Sequence, residues 1–363
     1  MLRFLFAFVL LIHGLIHLMG FTKAFKFAEV SQLHTDISKP AGLGWLAATL
    51  LFVVSAALFL LKKDLWWAPA ALGIAVSQIL IFGAWQDAKF GTIANLIALI
   101  GVLPGFGNWQ FQSMLRSELA AFRPLGLPDS QAVAESQLAP LPPAVQNWLR
   151  RSGVVGQPRT STLHLRQTGQ MRTTPNGNWM PVSAEQYFRT DPPGFHWTTE
   201  VEAGYGLYLA GRDLYQDGRG HMLIKVLSLL PVADAKGPET DQGTLLRYLA
   251  ETCWFPDAAL QPYIQWEAID SASAKATMRN GDITASGVFH FSPEGDLLGF
   301  EAMRYYDRKG GATLEKWHIE NDPASYQVFQ GRRIPTRSSV SWLLPEGKFT
   351  WFQLDISEVR YNE

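Results

Sequence analysis

The stretch FLFAFVLLIHGLIHLMGFT, Phe4–Thr22, carries no charged residue and is bounded by Arg3 and Lys23. A bilayer core about 30 Å thick is crossed by roughly 20 mostly apolar residues at a rise of about 1.5 Å each, so this stretch reads as a membrane-spanning helix. Three more charge-free intervals follow, Pro40–Leu61, Leu65–Gln86 and Phe90–Leu115, with Lys39, Lys62, Lys63, Asp64, Asp87 and Lys89 between them. The pattern predicts four transmembrane helices. In the fourth interval, Pro104 with Gly105 and Gly107 is expected to end the helix. Trp45, Trp66, Trp67, Trp85 and Trp109 fall at segment ends, the placement of an interfacial aromatic belt.

Arg3 ahead of an apolar run, with small residues at Gly20 and Ala24, also has the outline of a secretory signal. The length of the run, its two histidines and the further spans favour an uncleaved helix. With the N-terminus inside, five flanking Lys/Arg face four outside, which leaves the side of the C-terminal part undetermined.

Charge divides the chain. Residues 1–110 hold seven Lys/Arg and four Asp/Glu, leaving 24 and 28 for the remainder. No polybasic or basic–aromatic stretch occurs, which argues against a nucleic-acid partner. One cysteine, Cys253, excludes an intrachain disulfide framework and any multi-cysteine metal site. The expected organisation is a four-helix transmembrane region at 1–110, a Pro-rich linker at 111–143 and a β-rich soluble domain at 144–363. Within the linker, FRPLGLPDSQAVAESQLAPLPP (Phe122–Pro143) reads as an extended tether.

The domain opens on a short amphipathic helix, AVQNWLRRSGV, with Val145, Trp148 and Leu149 on one face and Gly153 as its stop. Aromatic and β-branched strand patterns then alternate with turns at Asn176-Gly177, Asp191–Gly194 and Asp217-Gly218. One helix interrupts them. Thr240-Asp241 is its expected N-cap, Pro256 bars its continuation, and Leu245, Leu246, Leu249 and Cys253 should face a sheet. Further strands follow, with hairpin signals at Asn280-Gly281, Pro293–Asp296 and Pro345–Gly347. The fold class is an α-helical membrane bundle followed by an α+β domain dominated by a curved antiparallel sheet.

The motifs HGLIHLMGFTKAF (from His13), FHFSPEGDLLGF (from Phe289), WHIE followed by GRRIPT, and the closing LDISEVRYN together resemble a family of uncharacterised bacterial membrane proteins defined only as a domain of unknown function. The soluble part is similar in strand plan to the half-barrels of periplasmic lipoprotein carriers. That likeness implies an apolar cavity for acyl chains, and the family implies a multi-pass protein of the bacterial cytoplasmic membrane.

His13 and His17, four residues apart, share a helix face and have Gln78 and Asn95 as polar candidates on neighbouring spans. They form an intramembrane polar site open to two readings: helix packing, or metal, haem or proton-linked chemistry. No Glu follows His13 as an HExxH zinc motif requires. Cys253 reads as an inert buried thiol. GRDLYQDGRGHM (from Gly211) reads as a hairpin of solvated charges or as a headgroup or phosphate site. His164, His196, His221, His290 and His318 lie on separate strands. No nucleophile elbow, phosphate loop or dinucleotide fingerprint occurs, and no catalytic residue, metal or cofactor is assigned. Trp254, Phe255, Trp266, Trp317 and Trp342 are the expected lining of an apolar pocket. The leading expectation is a non-catalytic module that binds a lipid, acyl chain or other apolar small molecule. The alternatives are a redox or proton-linked membrane enzyme using His13 and His17, or an envelope scaffold or assembly component.

Overall fold

A computed structural model describes residues 2–122, 131–308 and 310–363, which divide into two compact units. The first is helical: α1 (Leu2–Ile16), α2 (Leu18–Ala24), α3 (Lys39–Leu60), α4 (Trp67–Gly83), α5 (Trp85–Ala88) and most of α6 (Gly91–Phe122). Many of its large exposed side chains are apolar, among them Phe4, Ile79 and Ile100, at 70%, 70% and 72% exposure. Such a surface suits lipid rather than water.

Among the described residues, three helices rather than four are long and apolar enough to cross a membrane: Arg3–Ala24, Lys39–Leu60 and Gly91–Phe122. The interval Leu65–Gln86, expected to be the third span, instead forms α4 with 17 residues, because the backbone leaves helical geometry at Ala84. A 17-residue helix is about 26 Å long, short of a full hydrocarbon core. Pro104 does not end the last helix; α6 runs through it for 32 residues. A proline removes one intrahelical bond, and a long apolar helix can absorb that loss.

Small residues set the packing. A Cβ on Gly20 would stand 2.3 Å from the Trp45 ring, so only glycine lets α2 lie this close to α3. Trp45 is buried beneath it and belongs to the bundle interior rather than to an interfacial belt. Gly20→Leu is therefore expected to separate the two helices, seen as a loss of several degrees in the detergent-solubilised melting temperature.

The second unit begins at Ser117 and takes in the rest of the chain apart from Leu227–Leu229. The expected tether is folded where it is described. Residues 131–143 bridge to Val155 and Pro158 and form a 3-10 turn, Glu135–Leu138, that buries Val133 and Leu138 in the core. Apolar residues spaced among the prolines give that segment something to bury, which a tether lacks. The part of the tether at 123–130 lies outside the described residues. α7 (Pro143–Arg151) buries Val145, Trp148 and Leu149, and Gly153 follows it in the left-handed region at φ 73°.

Strands β1 (Thr162–Met171), β2 (Met180–Thr190), β3 (Pro193–Gly204), β4 (Leu207–Gln216), β5 (Arg219–Val226) and β6 (Leu230–Ala235) precede α8 (Pro238–Glu251). Then come β7 (Ile264–Ala268), β8 (Ser273–Asn280), β9 (Ile283–Phe291), β10 (Leu297–Tyr306), β11 (Thr313–Asn321), β12 (Tyr326–Phe329), β13 (Arg332–Pro335), β14 (Arg337–Leu344) and β15 (Gly347–Tyr361). Thirteen of them form one antiparallel sheet in the order β6-β5-β4-β3-β2-β1-β15-β14-β11-β10-β9-β8-β7, with β12 and β13 in a separate hairpin. The last strand pairs with the first, Leu354 opposite Gly169, and so joins two arms laid down by successive hairpins. A single helix, α8, packs on β4 and β5 of one arm and on β8, β9 and β10 of the other. A flat sheet cannot bring strands that far apart in order to one helix, so the sheet is a half-barrel wrapped around α8.

α8 starts earlier than its expected Thr240-Asp241 cap. Gly237 precedes it, and the buried Asp241 accepts instead from the Gly220 backbone N–H and from Arg219. Leu245, Leu246, Leu249 and Cys253 are buried as the spacing requires.

Candidate ligand cavity

Two clusters collect the residues singled out from sequence. The first lies within the helical unit. His17 donates from Nδ1 to the His13 carbonyl at 2.7 Å, taking the acceptor its own backbone N–H would have used. That N–H bonds Gly14 instead, which tightens the turn and separates α1 from α2. The remaining partners assign the protons. His13 Nε2 donates to Asn95 Oδ1 at 2.8 Å, Asn95 Nδ2 donates to Ser77 Oγ and Gln78 Oε1, and the Ser77 hydroxyl donates to His17 Nε2 at 2.8 Å. With one proton on each imidazole every link has a donor and an acceptor. Both nitrogens of His17 are thus occupied by protein partners. Ser77, which completes the ring, carried no sequence signal beyond being a hydroxyl in an apolar run.

The second cluster is the concave face of the half-barrel, which encloses a cavity of about 470 Å³. Small-molecule sites span roughly 300–1,000 Å³ and are mostly apolar with a few convergent polar groups. Alternation puts Trp317 and Trp342 opposite each other on β11 and β14, both facing inward. Trp197, Trp351 and Phe352 add aromatic wall, and Trp254, just past α8, lines the closed end. Thr173, Tyr305 and Asp307 line the cavity while exposed, which marks the mouth.

Of the five residues expected to line a pocket, Trp254, Trp317 and Trp342 do so. Phe255 and Trp266 do not. Phe255 is fully buried against Phe188 and Tyr248. Trp266 packs edge-on to Phe289 and donates to the Ala259 carbonyl, on the same inner face but beyond the cavity lining. Trp197 and Trp351 were legible as tryptophans, but only the register shows which face they take.

The cavity has a charged side that sequence inspection missed. Arg247 of α8 donates to Asp213 Oδ2 at 2.7 Å and to Glu251 Oε1 at 2.8 Å, and its guanidinium lies 4.8 Å from the Phe195 and Trp197 ring centres. The other Glu251 oxygen accepts from Gln186, which accepts from Gln167, which accepts from the Trp197 indole. Burial pushes the Glu251 carboxyl up, and Arg247 only partly offsets it. Arg247 itself is drawn down by burial but raised overall by Glu251 and Asp213. Arg304 on β10 also lines the cavity, stacked 4.6 Å from the Trp317 ring centre and 6.0 Å from that of Trp342. Parity was the available signal, since Phe300 and Ala302 of the same strand are buried and Arg304 shares their face.

The polar run Gly211–Met222 is the β4–β5 hairpin, with Asp217 and Arg219 solvated near its tip but Arg212 and Asp213 buried. Arg212 is 1% exposed and holds the His221 carbonyl at 2.6 Å and Glu118 at 3.0 Å, while Asp213 faces the opposite side toward α8. Burial raises the Glu118 carboxyl, but His196 and Arg212 outweigh it and hold the group below its usual range. Asp217 bonds Arg189, and Arg219 bonds Asp241. Only Asp217 and Gly218, both at positive φ, turn the chain at the tip. Cys253 is buried and its thiol is pushed up by that burial, as an inert thiol should be. No group of three His, Cys, Asp or Glu able to hold a metal occurs among the described residues. A separate depression of about 570 Å³, lined mainly by polar residues such as Gln170, Asn321 and Gln353, is more open and has no aromatic lining.

Residues 131–354 match DUF6544, a family of unknown function. No curated protein matches the chain. Among solved structures, a DUF1329 family protein from Desulfovibrio piger is similar at 13% identity and a TM-score of 0.33, over 60% of this chain and 92% of that one.

Proposed function

Since the chain belongs to DUF6544, a family of unknown function, we propose its role from its geometry: a multi-pass protein of the bacterial cytoplasmic membrane whose β-domain binds a lipid or other apolar ligand without catalysis. The carrying observation is the aromatic cavity of about 470 Å³ enclosed by the half-barrel and α8. A core that only had to stabilise the fold would fill such a space, because interiors are close-packed and voids forfeit contacts. Trp317, Trp342 and Trp254 keep their role as lining, and Trp197, Trp351 and Phe352 join them. His13, His17, Gln78 and Asn95 serve helix packing, supported by their closed ring of hydrogen bonds. The apolar outer faces of the helices support anchorage in lipid.

The test is native mass spectrometry of the full-length protein, followed by solvent extraction of what remains bound. A discrete added mass is expected from the wild type. Ile224→Trp, which places an indole inside the cavity, should lower the bound fraction at least about tenfold, since overpacking a filled site costs about 1–3 kcal/mol. A wild type that is folded and carries nothing, even after incubation with lipid, would end this reading.

A further inference from the structure

The Arg304 guanidinium makes no ion pair or hydrogen bond among the described residues, although it lines the cavity. Glu251 gives one oxygen to Arg247 and the other to Gln186, and Asp213 gives Oδ2 to Arg247; the remaining Asp213 oxygen attracts the Arg304 charge through space without bonding it. What it has instead are the faces of Trp317 and Trp342. Aromatic faces orient a guanidinium and leave its edge, with its fork of N–H donors, open. Burial lowers its pKa to about 10, which still leaves it charged at neutral pH. The lining is rich in unused donors beyond Arg304: the buried indole N–H groups of Trp254, Trp317 and Trp351 also find no acceptor. A half-buried cation without an acceptor is costly in a protein that binds only hydrocarbon, because a methionine would fill the same space at less cost.

We propose that the ligand is an anionic amphiphile, its carboxylate or phosphate held by Arg304 and its hydrocarbon tail lying against Trp197, Trp351 and Phe352. This rests on the apolar-ligand reading and adds the class of head group. Arg–oxyanion pairing is bidentate and charge-assisted, so it selects the anion over a neutral group of the same shape.

Full-length protein in amphipol is titrated with palmitate, 1-palmitoyl-lysophosphatidate and methyl palmitate, following the emission of the lining tryptophans. Binding of either anion at least about tenfold tighter than the ester is expected, and the preferred anion separates a free fatty acid from a phospholipid source. Arg304→Met should remove that preference while leaving ester binding in place; Arg304→Lys should restore part of it. If ester and anions bind equally to the wild type, the head-group assignment is overturned and the apolar-ligand reading stands. If none of the three binds, both fall. The wild-type comparison needs no variant, so a poorly folded Arg304→Met does not blunt the test.

Discussion

Arg247→Met lowers the stability of the β-domain by about 3–5 kcal/mol at neutral pH, the range for deleting one member of a buried ion pair. The substitution keeps most of the side-chain volume and leaves Asp213 and Glu251, each about 10% exposed, without their cation. The pH dependence identifies the cause. Glu251 already has a folded pKa raised above its ordinary value by burial, and losing Arg247 raises it further. A carboxyl with a raised folded pKa binds more protons in the folded state, so stability falls as pH rises from the unfolded toward the folded value. The gap between variant and wild type should therefore narrow as pH is lowered toward the ordinary carboxyl range. Chemical denaturation at several pH values measures it. A gap independent of pH would mean that lost packing, not unpaired charge, dominates.

Phe289→Ala costs a similar amount, about 3–5 kcal/mol, for a different reason. Phe289 is fully buried with its ring centre 4.9 Å from those of both Trp266 and Phe300 and 6.0 Å from that of Trp148. Its loss opens a hole between α7 and the inner face of the sheet, beyond the residues that line the ligand cavity. The expected signature is a lower denaturation midpoint with no pH dependence, and an unchanged amount of ligand per folded molecule. Loss of ligand from the folded variant would show that this part of the wall shapes the cavity.

Much of this architecture was readable from residue order. The helix of Val145, Trp148 and Leu149, the inward face of α8 and the hairpins at Asn280-Gly281 and Pro345–Gly347 follow from local periodicity and turn chemistry, and each is present. What escaped were properties that depend on distant partners. Hydropathy made Leu65–Gln86 look like a span, but the break at Ala84 has no proline to announce it. Pro104 has the local chemistry of a helix stop, yet an apolar helix carries it. The prolines of 131–143 concealed Val133 and Leu138, which are buried in the hydrophobic core of the β-domain. The polar face of the cavity was the largest omission. Arg247 and Arg304 sit in separate elements, and nothing local says that α8 brings one toward the other.

The sheet also has a consequence at its margins. A half-barrel never closes, so β6 and β7 each present a row of unpaired backbone groups to any other polypeptide. The chain discourages that pairing at both ends. Pro231 removes a donor from β6, and an irregularity in the β5–β6 register between Ile224 and Lys225 bends the strand. β7 is only five residues long and carries an exposed Glu267. The openness that leaves room for a guest thus comes with its own safeguards against self-association through strand exchange.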